Sequence, residues 1–76
     1  MNEDDNIVDS PLNREVIRHG RSLSVQIYGT GRADWVLEVV NDSGTSLIWD
    51  GTFDTDQLAL EEFERCLRED GIESFD

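Results

Sequence analysis

RSLSVQIYGTGRADWVLEVVN, residues 21–41, alternates apolar and polar side chains on either side of a glycine-bearing centre. In the first half Leu23, Val25 and Ile27 are separated by Ser24 and Gln26, and in the second half Trp35, Leu37 and Val39 share one parity. A period of two marks a half-buried strand, because successive side chains leave opposite faces of the pleat. Joined through residues 29–33 (GTGRA), the two strands make an antiparallel hairpin, with Ile27 expected opposite Trp35 and Val25 opposite Leu37.

The flanking segments extend this hairpin. NDSG at residues 41–44 suits a type I turn followed by a left-handed glycine, the three-residue hairpin loop with a bulge. That turn sets Val39 opposite Leu47 and Leu37 opposite Trp49, again with one apolar set on one face. Upstream, REVIR at residues 14–18 reads as a further strand joined through His19 and Gly20. Its register is ambiguous, because Val16 and Ile17 compete for the inward position and a one-residue slip exchanges the faces.

Downstream, WDGTFDTDQLALEEF (residues 49–63) concentrates aspartates and then turns apolar at helical spacing. With Asp54 as N-cap, Gln57 stands at the third helical position in a variant capping box, and Phe53 with Leu58 makes a hydrophobic staple. Asp56 falls in the first turn, where the exposed amides and helix dipole favour negative charge. Leu60, Phe63 and Leu67, flanked by Ala59 and Cys66, form the buried stripe, with Glu61–Arg65 and Glu64–Arg68 as i,i+4 pairs outside. Gly71 ends the helix, with Leu67 and Ile72 in contact across the stop, so the helix is expected over residues 55–70. The fold class is α+β: a three- or four-stranded antiparallel meander with one C-terminal helix on one face.

A chain of 76 residues allows one small domain. Residues 1–12 carry four acids, no base and little to pack, and are expected to be a disordered acidic tail ahead of a single domain over residues 13–76. From Asp34 onward there are thirteen acids and two arginines, whereas residues 13–33 hold four arginines against Glu15 alone. The net charge of -12 argues against direct nucleic-acid binding, which needs clustered basic residues to neutralise phosphate. The absence of lysine and the excess of acid can also follow from genome composition or salt adaptation. With one cysteine, no charged apolar leader and no long apolar run, the chain is expected to be a reduced cytoplasmic protein with no membrane span.

Candidate chemistry fails on spacing. Asp50-Gly51-Thr52 matches the tail of the aspartyl phosphatase signature, but Ile48 stands where the nucleophilic aspartate belongs. A calcium loop starting at Asp50 has Thr55 at the sixth position instead of glycine, although Glu61 occupies the twelfth. His19 lacks partners at any ligand spacing, and Cys66 sits on the apolar helix stripe with no evident base. Gly29-Thr30-Gly31 lacks the lysine and helix of a phosphate loop. The expectation is therefore no catalysis, no metal and no cofactor.

The segments WVLEVVNDSG, WDGTF, TDQLAL and DGI, between Trp35 and Phe75, resemble a group of small acidic bacterial proteins with no assigned activity. The resemblance covers about half the chain, implies the same sheet-then-helix pattern and a bacterial cytosolic origin, and carries no catalytic or ligand residue.

One helix covers only one face of such a sheet. Tyr28, Val36, Val40 and Ile48, opposite in parity to the core set, are expected on the open face among Ser24, Gln26 and Glu38, as a surface for a protein partner or a second copy. The alternative is a nucleic-acid mimic that offers Glu61, Glu62 and Glu69 on the helix to a basic DNA-handling protein. Arg65 and Arg68 interrupt that acidic surface, which favours the first reading.

Overall fold

A computed structural model describes residues 7–75. Five strands form one open antiparallel sheet: β1 (Val8–Asp9), β2 (Arg14–Arg18), β3 (Arg21–Gly29), β4 (Val36–Asn41) and β5 (Ser46–Ile48). The helix α1 (Asp56–Asp70) and a 3₁₀ turn (Ile72–Phe75) follow. This is the expected α+β arrangement with one strand more.

The extra strand comes from the segment read as a tail. Residues 1–6 lie outside the described residues, but Val8 pairs with Gly29 and Asp9 with Tyr28, so residues 7–12 are tied to the sheet. β1 and β2 lie along the same edge of β3. Between them, residues 10–13 face only Gln26 and Ile27, a bulge of two extra residues. Local polarity explains why it holds: Ser10 N–H donates to the Ile27 carbonyl at 2.8 Å, and Asn13 Oδ1 accepts the Ile27 N–H at 2.7 Å. Ser10 Oγ also accepts the Leu12 N–H at 2.9 Å and donates to Asp56 Oδ2 at 2.7 Å, which ties the bulge to the first turn of α1.

Tertiary pairing settles the first hairpin. Val16 lies opposite Leu23 on the core face and Ile17 opposite Ser22 on the open face. His19 and Gly20 both have positive φ, 54° and 75°, as a tight two-residue hairpin turn requires.

The β3–β4 register differs from expectation by two residues: Ile27 faces Leu37 and Val25 faces Val39. A shift of two preserves faces, so the core set is unchanged while the loop is longer. Its organiser is Asp34, whose carboxylate accepts from Thr30 Oγ1 at 2.6 Å, Thr30 N–H at 3.0 Å and Arg32 N–H at 3.2 Å. The Thr30 hydroxyl bond leads the contacts that hold the Asp34 pKa below the usual carboxylate range. Gly29 permits this closure, since a Cβ there would lie 2.7 Å from the Asp34 carbonyl oxygen.

The β4–β5 turn matches its reading. Val39 faces Leu47, Gly44 N–H donates to the Asn41 carbonyl at 3.0 Å, and Gly44 has φ 87°. Asn41 is buried, its Oδ1 accepting from Ser43 and Thr45 N–H and its Nδ2 donating to the Phe75 carbonyl at 3.0 Å.

After β5 the chain bulges at residues 50–52, with Gly51 at φ 82°, and then Phe53 exchanges backbone hydrogen bonds with Trp35 at 2.8 and 3.0 Å. The aspartate-rich stretch is thus an edge bulge followed by helix entry. Because Phe53 is held as strand, the chain turns one residue later than expected. The N-cap is Thr55, not Asp54, and its Oγ1 accepts the Leu58 N–H at 3.1 Å. The box with Gln57 and the Phe53–Leu58 staple do not form, and Leu58 is 46% exposed.

Leu23, Val25, Ile27, Leu37 and Val39 from the sheet meet Ala59, Leu60, Phe63 and Leu67 from α1. Gly71 N–H caps the Leu67 carbonyl at 3.1 Å, and the 3₁₀ turn folds Ile72 and Phe75 back into the core. The Phe75 ring lies 5.6 Å from Phe63 and 6.4 Å from Trp49. Among the described residues, no helix is long and apolar enough to cross a membrane.

Candidate functional site

The sheet's uncovered face holds all four residues expected there. Tyr28 lies directly opposite Val36, Ile48 lies opposite Glu38, and Val40 lies between Ser24 and Ser46. The four therefore surround Glu38. Its Oε1 accepts the Tyr28 hydroxyl at 2.9 Å, and its Oε2 accepts the Ser46 hydroxyl at 2.8 Å. Gln26, opposite Glu38, donates to Ser24 Oγ at 3.3 Å. The centre of the face is a hydrogen-bonded polar network, and its margin mixes the apolar Val36, Val40, Ile48 and Ile17 with the exposed acids Asp9, opposite Tyr28, and Glu15, opposite Ser24.

The same network sets the Tyr28 chemistry. Its hydrogen bond to Glu38, then burial, then the carboxylate's charge, all push the Tyr28 pKa upward, because ionisation would lose the bond and place two anions together. Tyr28 therefore stays a neutral donor at physiological pH.

Two members of the surface were not singled out from sequence. Ile17 is 67% exposed and joins the open face through the β2 register, which the sequence left ambiguous. Ser46 follows from the alternation of β5 and would have been found by extending the parity of Ile48 two residues back.

Both edges of the sheet are interrupted. The β1–β2 edge carries the bulge at residues 10–13, and beyond β5 the bulge at residues 50–52 breaks the opposite edge. Such bulges twist an edge away from further strand pairing.

The helix acids are arranged differently from expectation. Arg65 pairs with Glu62 at 2.8 Å and Glu69 at 3.0 Å, whereas Glu61 accepts from Gln57 Nε2 at 3.4 Å. Trp49 is the cause: its Nε1–H donates to Glu62 Oε2 at 3.2 Å and fixes that carboxylate where Arg65 reaches it in bidentate fashion. The Arg65 hydrogen bonds, with smaller contributions from Trp49 and the Cys66 thiol, lower the Glu62 pKa to about 2. Burial, followed by the Glu62 contact, pushes the Cys66 thiol up, so it is a poor nucleophile at neutral pH.

The remaining candidates are accounted for locally. His19 is a turn residue, Gly29 a close-approach residue, and Asp50, Gly51 and Thr52 belong to an edge bulge. Among the described residues, no three His, Cys, Asp or Glu side chains converge as a metal site. No protein-family model matches the chain, and neither a curated protein nor a solved structure matches it.

Proposed function

We propose that the protein is a non-catalytic interaction module that pairs with a second copy of itself through the open face of its sheet. The observation that carries this reading is the gathering of Tyr28, Val36, Val40 and Ile48 around a hydrogen-bonded Glu38 on the face that α1 leaves uncovered. The Tyr28 and Ser46 hydroxyls satisfy the Glu38 carboxylate, while the acids of this face, Glu38 with the exposed Asp9 and Glu15, oppose pairing until salt screens them. Charge opposes self-pairing and so bears on its arrangement. Each chain carries -12, and apposing open faces puts the acidic helices on the outside of the pair, as far apart as the fold allows. A reducing, bacterial cytoplasm is the setting that goes with this reading, since the single thiol, Cys66, has no partner for a disulfide within the chain.

The nucleic-acid-mimic reading has less support. Glu62 and Glu69 share the single Arg65, which offsets one negative charge of the patch and draws both carboxylates to one cation, so they do not stand beside Glu61 as separate phosphate-like charges.

The test is sedimentation of the wild type and the Val36→Lys, Ile48→Lys double variant at high protein concentration. The wild type is expected to sediment as a dimer, more completely as salt screens the mutual repulsion, and the variant as a folded monomer. Monomeric mass for both, at high salt and high concentration, refutes the self-association. Loss of binding to a basic partner on changing Glu61, Glu62 and Glu69 to Gln would favour the mimic.

A further inference from the structure

The described residues contain all six arginines, and four of them are engaged. Arg14 donates to the Leu12 carbonyl at 3.0 Å, Arg21 pairs with Asp42 at 3.5 Å, Arg65 clamps Glu62 and Glu69, and Arg32 also has an interaction. Arg18 and Arg68 form no hydrogen bond or ion pair among the described residues, in a chain with eighteen acids. These two, distant in sequence, line the same groove of about 500 Å³, together with Glu64 and Leu67.

Their meeting is a product of the fold. Arg18 ends β2 opposite Arg21, at the His19-Gly20 turn, with the parity that faces α1. Arg68 stands in the last turn of α1, one residue after the buried Leu67. The groove lies between the hairpin tip and the C-terminal half of the helix, away from the open sheet face. It is an open groove with two cationic side chains, one acid and a small apolar contact.

We propose that this groove binds a small organic carboxylate, its head held by Arg18 and Arg68 and its apolar body laid along the arginine stems and the small exposed part of Leu67. Guanidinium forks match a carboxylate in geometry as well as charge. Two neighbouring features select for a single negative charge. Glu64 repels a dianion more strongly than a monoanion, and the carbonyl end of the helix dipole acts in the same direction. A polyanion such as nucleic acid meets in addition the repulsion of the whole chain.

The experiment is titration of the full chain, followed by side-chain and methyl NMR signals of Arg18, Arg68 and Leu67, with four probes. 3-Phenylpropionate should shift all three residues saturably at millimolar concentration. Acetate, lacking the body, and phenyl phosphate, a dianion at pH 8, should bind more weakly, and 3-phenylpropylamine should not bind. Arg18→Gln and Arg68→Gln should each weaken phenylpropionate binding about tenfold, the equivalent of one charge-assisted contact. Glu64→Gln should strengthen it and narrow the gap to phenyl phosphate; this variant carries the test if an arginine variant fails to fold. Equal binding of the amine and the carboxylate, no saturable shift, or indifference to all three substitutions overturns the proposal. Tighter binding of phenyl phosphate than of phenylpropionate overturns the assignment of a carboxylate.

Discussion

Replacing Asn41 with alanine removes three hydrogen bonds that join the β4–β5 turn to the C-terminal 3₁₀ turn. Two run from Ser43 and Thr45 N–H to Oδ1, at 3.0 and 2.9 Å, in an exposed turn whose amides regain water when the side chain is lost. Each therefore costs about 0.5 kcal/mol, the low end for a net hydrogen bond. The third, from Nδ2 to the Phe75 carbonyl at 3.0 Å, is buried, and an acceptor left there without a donor costs about 1–3 kcal/mol. The expected destabilisation for Asn41→Ala is thus about 2–4 kcal/mol, a large share of the stability of a domain this small. Asn41→Asp separates the contributions. It keeps both turn acceptors but sets a carboxylate against the Phe75 carbonyl, so at pH 7 it should be at least as destabilising as Asn41→Ala. In acid the new carboxyl becomes a donor; its folded-state pKa is raised, so stability is recovered as pH falls through that value and lost as pH rises through it. Urea unfolding followed by tryptophan fluorescence reads both variants, since Trp49 lies 6.4 Å from the Phe75 ring. A loss below about 0.5 kcal/mol for Asn41→Ala, or wild-type stability for Asn41→Asp at pH 7, would refute the claim that this side chain holds the C-terminal turn in the core.

The helix cap and the Glu62 network give two further tests. Thr55→Ala should cost about 1 kcal/mol in urea or thermal unfolding, while Asp54→Ala should change stability by less than half of that; the opposite ranking would return the cap to Asp54. Because Glu62 has a pKa depressed from its ordinary value of 4.5 to about 2, its contribution to stability is present above 4.5 and lost as pH falls through about 2. Glu62→Gln should therefore flatten the acid limb of the stability profile in that window, and an unchanged limb would show that the Arg65 and Trp49 contacts do not persist in solution.

Local chemistry determined much of this protein from sequence alone. Alternation in Leu23, Val25, Ile27, Leu37 and Val39 marked the core face, because side-chain parity in a strand does not depend on what the strand pairs with. The turn at residues 41–44 carried its own register, since its glycine and Asn41 satisfy a complete local hydrogen-bond set. The apolar stripe of α1 and its stop at Gly71 were readable for the same reason. So was the gathering of Tyr28, Val36, Val40 and Ile48 on one face, because a two-residue register shift leaves faces intact.

The tertiary structure decided what rests on partners distant in sequence. Val16 rather than Ile17 turns inward because β2 pairs with β3 through one particular tight turn. Val8 and Asp9 become strand through β3 and the Ser10–Asp56 bond, neither visible in a short acidic segment. Thr55 displaces Asp54 as cap because Phe53 is held by Trp35, and Arg65 chooses Glu62 because Trp49 holds that carboxylate in place. The polar centre at Glu38 and the groove between Arg18 and Arg68 likewise exist only after folding. Periodicity and turn chemistry act over a few residues and survive in the isolated sequence; competition among equally suitable local partners is resolved by which long-range contact the packed chain allows.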